Sequence, residues 1–100
     1  MGSFSLTNAA KADLRNIARF TEQEWGREQR KHYLKGMDDA FSRLADSPAL
    51  GVSCEYIAPA LRKHAFQSHV IDYDITSITR ISIVRVLHKR MDVSQAPFNR

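Results

Sequence analysis

One hundred residues provide for one domain with a single core, and a composition of 43% hydrophobic and 26% charged residues excludes a disordered segment. Fifteen Lys and Arg against eleven Asp and Glu give a net charge of +4 and a sequence pI near 9.6, which favours acidic partners, protein or nucleic acid, as well as solubility. Cys54 is the only cysteine, so an internal disulfide and a cysteine metal site are excluded; with apolar runs too short for a signal sequence or a membrane span, a cytoplasmic protein is expected.

In chain order, Phe4-Ser5-Leu6 alternates as a short first strand. Thr7 or Asn8 caps a helix in which Leu14, Ile17, Ala18, Thr21 and Trp25 recur at intervals of three and four and face a core. Gly26 ends that helix. A second helix runs from about Glu28 to Ala45, with Tyr33, Met37, Ala40, Phe41, Leu44 and Ala45 on its apolar stripe and Leu34 on the flank. So short a connection makes the two a helical hairpin, and Pro48 and Gly51 close the segment.

The period then changes. Leu61–Phe66 is strand-like, Gln67-Ser68 forms a tight turn, and His69–Ile75 places Ile71, Tyr73 and Ile75 on one face with Asp72 and Asp74 on the other. Thr76–Thr79 turns again, and Arg80–His88 is β-branched and apolar on both faces toward its end, as in a central strand. The expected fold is α+β in the order β-α-α-β-β-β, with the hairpin packed on one face of a small, mainly antiparallel, curved sheet. The domain occupies 1–100, with a core over about 4–93 and a loosely ordered tail over 94–100 containing Pro97.

Several blocks resemble the ParE toxins of the RelE/ParE superfamily. They are Phe4-Ser5-Leu6-Thr7 with Ala10–Arg15 and Ile17, Trp25-Gly26, Leu44–Pro48 with Leu50-Gly51, Leu61-Arg62, His69–Tyr73, and Ile83–Asp92. The resemblance covers about Phe4 to Val93, in the family's order and spacing. It implies a toxin of a type II toxin–antitoxin pair, neutralised by a ParD-like antitoxin, that traps DNA gyrase on cleaved DNA by binding and not by catalysis. It further implies that DNA at the operon would be bound by the antitoxin and not by this chain. The RelE branch of the same superfamily, which cleaves messenger RNA on the ribosome, is the alternative, because one fold carries both activities.

Three sets of residues follow as candidates. Arg62, Lys63, His64, His69, Arg85 and His88 could supply the base, acid and cations of a metal-independent ribonuclease, but strand alternation divides them between faces. The resemblance instead makes Arg85, His88, Lys89, Arg90 and Met91 the candidate gyrase contacts, a basic end suited to an acidic surface or cleaved DNA. Phe20 lies off the first helix's core stripe, and an antitoxin segment laid over the hairpin would use it with Leu34, Trp25 and Tyr33, although Trp25 also reads as a core anchor. Asp38 and Asp39 diverge on their helix, His32 sits among cations on a solvated face, and neither a phosphate loop nor metal-ligand spacing is present, so no cofactor or metal is expected.

Overall fold

The structure is a computed structural model and describes residues 2–91, without the side chain of Met91; the tail expected over 94–100 lies outside these residues. Strand β1 (Ser3–Leu6) leads into α1 (Asn8–Trp25) and α2 (Arg27–Asp46), followed by a 3-10 turn (Pro48–Leu50). Four further strands are β2 (Val52–Ser53), β3 (Leu61–Phe66), β4 (His69–Ser77) and β5 (Arg80–His88), and the last runs into a second 3-10 turn (Lys89–Met91). The sheet order is β1-β5-β4-β3-β2, antiparallel throughout except where β1 runs parallel to β5. Two helices packed on a mixed five-stranded sheet match the α+β expectation, with the two-residue β2 as an addition.

Local chemistry explains the hairpin. The Thr7 hydroxyl accepts the Ala10 N–H at 3.0 Å and starts α1. Gly26, at φ 91°, donates its N–H to the Glu22 carbonyl and accepts the Arg30 N–H, so one residue ends α1 and begins α2. The apolar stripes then close on the sheet: Ala10 and Ile17 from α1 and Met37, Ala40, Phe41, Leu44 and Ala45 from α2 bury against Ile71, Tyr73, Ile81, Ile83 and Val86. Each large side chain so buried contributes about 1.5–3 kcal/mol. Trp25 does not belong to this core. It is 71% exposed, because the last turn of α1 runs past the sheet that covers Ile17 and Thr21.

Two irregularities of β5 set up the functional face. The register slips between Tyr73↔Ile83 and Asp72↔Arg85, making Val84 an extra residue. Parity therefore inverts along the strand: Ile81 and Ile83 join the core before the bulge and Val86 joins it afterwards, which turns His88 toward the helices. In addition, while β4 pairs with one side of β5, β1 ends at Leu6 and leaves the far half of the other side without a strand. Side chains replace it. The Thr7 hydroxyl donates to the Val84 carbonyl at 2.7 Å, and the Asp13 carboxylate accepts the Val86 N–H at 2.9 Å.

Candidate functional site: a groove between the hairpin and the sheet end

Where α1 overshoots the sheet, the hairpin and the ends of β4 and β5 enclose a groove of about 730 Å³. Ile17, Phe20, Thr21 and Trp25 form the α1 wall, Gln29 and Tyr33 the α2 wall, and Ser68, His69 and His88 the floor. Phe20 is 60% exposed, so its ring is presented to solvent rather than spent on the core. Gly36, one turn after Tyr33, lets the Phe66 ring approach α2 closely; a Cβ there would lie 2.9 Å from it. Phe66 in turn packs against Tyr33, ring centroids 5.5 Å apart, and fixes the groove's polar tip.

That tip is a short relay. The Tyr33 hydroxyl meets His69 Nδ1 at 2.6 Å, and the rings of His69 and His88 lie edge to face at 5.5 Å. Burial raises the Tyr33 hydroxyl pKa above its ordinary value. His69 is pushed below its ordinary value, first by burial and then by His88, against a smaller opposing pull from Asp13. The linkage follows in sign: the unfolded chain takes up the His69 proton at a higher pH than the folded one. The stability associated with neutral His69 is fully present above the unfolded pKa of about 6.5 and is lost as pH falls from there through the folded value. His69→Gln should therefore flatten that segment of the stability profile, as measured by denaturant unfolding on either side of it.

The structure sorts the sequence-based candidates. Phe20, Trp25 and Tyr33 come together in the groove with His69 and His88, whereas Leu34 turns into the main core and is not part of the lining. Among the basic residues, Arg85 grips Asp13 through Nε and Nη2 at 2.8 and 2.9 Å, and this bond raises its pKa above the ordinary guanidinium value. Lys89 and Arg90 remain exposed beyond it; the Met91 side chain lies outside the described residues. Arg62 and Lys63 serve the scaffold. Arg62 Nε donates to the Gly51 carbonyl at 3.0 Å, and Lys63 Nζ pairs with Asp72 at 3.0 Å, with 8% and 1% of the two residues exposed. His64 is half-buried on β3 and lies outside the groove.

The six-residue basic set is thus dispersed, and only His69 and His88 of it line the groove. Among the described residues no group of three or more His, Cys, Asp or Glu is placed to hold a metal ion, and no helix is long and apolar enough to cross a membrane. Asp13 is the residue whose role sequence reasoning missed. Its signal was available: three after Ala10 and four before Ile17, it places a carboxylate in the middle of a buried stripe, where it must find donors.

Residues 4–93 match the model of the family described as "ParE toxin of type II toxin-antitoxin system, parDE". The chain belongs to the ParE toxin family. Toxin ParE1 of Mycobacterium tuberculosis (strain CDC 1551 / Oshkosh) is 39% identical over 92 residues, covering 92% of this chain and 94% of that protein. Toxin ParE1 of Caulobacter vibrioides is 35% identical over 92 residues, again 92% and 94% of the two chains, and Toxin ParE of Escherichia coli is 32% identical over 93 residues, 93% and 90%. A solved chain described as "Chromosomal ParDE TA system from P. aeruginosa" superposes with a TM-score of 0.74 over 88% of this chain and 96% of that one, at 19% identity, and supports the ParE fold. This ParE toxin is thus part of a type II toxin–antitoxin family whose members are named for toxicity and not for a catalysed reaction.

Proposed function

We propose that this ParE-family toxin arrests growth in the cytoplasm by docking on DNA gyrase and stabilising its cleaved-DNA complex, until a ParD-like antitoxin covers it. The observation that carries the reading is a division of surfaces: an aromatic groove on the hairpin with no charged side chain in its lining, and a basic end at Lys89 and Arg90 that adjoins it at His88 but lies outside that lining. The groove suits an amphipathic antitoxin segment laid apolar side down. The basic end suits an acidic protein surface or cleaved DNA. Its recruitment of gyrase requires no bond-making group, only tighter binding to the cleaved state than to the resealed one; a tenfold shift needs about 1.4 kcal/mol of difference. In this reading operator DNA is bound by the antitoxin, with no sequence-specific contact from this chain.

Purified gyrase with supercoiled plasmid and the toxin should accumulate linear DNA after protein denaturation. Replacing Lys89 and Arg90 together by Ala should reduce that product by about tenfold or more, as expected for losing two charge contacts, while antitoxin affinity stays within about twofold. No linear DNA, with site-specific cutting of messenger RNA on translating ribosomes instead, would replace this reading by the ribonuclease one.

A further inference from the structure

The groove floor carries two histidines, each with a hydrogen-bond partner at Nδ1. His69 opens β4 and His88 closes β5, where they are cross-strand partners. Tyr33 and His69 share one hydrogen bond, 2.6 Å long, between the phenol oxygen and Nδ1. With the phenol as the donor of that bond, His69 Nδ1 accepts. A neutral imidazole that accepts at Nδ1 carries its hydrogen on Nε2. His88 reaches the same state independently, since the Arg90 N–H donates to its Nδ1 at 3.2 Å. Burial and the His88 neighbour both favour the neutral form of His69. In that arrangement the pair offers two ring N–H donors and no ring acceptor, in an uncharged lining that includes Phe20 and Trp25.

Among the described residues of the lining, no free carboxylate opposes that polarity. From α1 the nearby carboxylate is Asp13, which is occupied by Arg85 of β5; α2 contributes the uncharged Gln29 and Tyr33, and Lys89 and Arg90 of the turn after β5 are exposed outside the lining. We infer that the groove takes a polypeptide segment bearing a carboxylate, which settles on the Nε2–H groups of His69 and His88 while apolar neighbours on the same segment cover Phe20 and Trp25. This deepens the antitoxin reading of the groove and rests on it: the partner is acidic as well as apolar at this point, and a purely apolar helix would leave two donors unsatisfied.

Phenylbutyrate and its neutral isostere phenylbutyramide test the inference on the intact toxin, read by NMR of isotope-labelled histidine rings. The carboxylate should bind at least about fivefold more tightly than the amide, as a charge-assisted acceptor does, and shift both the His69 and His88 ring signals. Its affinity should rise as pH is lowered from about 8 to about 6, because a bound carboxylate favours the imidazolium form. In His88→Gln the two probes should come within about twofold of each other, as expected once one charge-assisted donor is lost. Equal affinities in the unaltered protein, or ring signals that stay in place, overturn the inference. Failure of the groove itself reads differently, as an unchanged antitoxin affinity in Phe20→Asp.

Discussion

Lys63→Met should cost about 3 kcal/mol of folding stability, the low end of what is lost when one partner of a buried ion pair is removed. The cause is the Asp72 carboxylate, 1% exposed, which would keep its place between β3 and β5 without the ammonium now 3.0 Å away. Arg85 stands across from Asp72 in register, but its guanidinium is held by Asp13, which limits how far it can substitute. In a domain of this size about 3 kcal/mol lowers the melting temperature by roughly 12–24 °C. Adding Asp72→Asn should recover part of that loss, since a neutral amide tolerates the site better than a carboxylate deprived of the Lys63 ammonium. A thermal scan of the single and double variants checks both. A loss below about 1 kcal/mol for Lys63→Met would mean that the pair behaves like an exposed one.

The second large effect concerns binding. Phe20→Asp should weaken antitoxin affinity by more than about tenfold, or about 1.4 kcal/mol, because it places a charge where an apolar partner face is expected and removes an aromatic anchor. The fold should hardly respond, since Phe20 is 60% exposed and belongs to neither core cluster. Trp25→Ala should add to the loss for the same reason, being 71% exposed on the same wall. Titration calorimetry against the cognate antitoxin, with melting temperatures of each variant alone, separates an affinity effect from a folding one.

Much of this architecture is legible in the chain because local signals agree with one another. Thr7, the three- and four-residue recurrence through Ile17 and Thr21, and Gly26 delimit α1 before any tertiary contact is known. The alternation of Ile71 and Tyr73 with Asp72 identifies β4 and its core face. What escapes is set by contacts distant in sequence. Val52–Ser53 is too short to show a period, and it is a strand only because β3 pairs with it. Trp25 continues the helical stripe four residues after Thr21, yet the sheet stops short of it. The Val84 bulge has no residue signature, although it decides which way His88 faces. The site shares this limit. Phe20 is found from its position off the stripe, whereas His69 and His88 look like members of a dispersed basic set until the register brings them together with Tyr33.

In this reading neutralisation and toxicity use different, adjoining surfaces, the groove and the basic end. One growth experiment tests it: cells express the unaltered toxin, the Phe20→Asp/Trp25→Ala variant or the Lys89→Ala/Arg90→Ala variant, each with and without the antitoxin. The groove variant should still arrest growth and escape rescue, while the basic-end variant should permit growth and still capture antitoxin in a pull-down. Loss of toxicity in the groove variant with rescue failing in the basic-end variant, or both variants losing the same property, would contradict it.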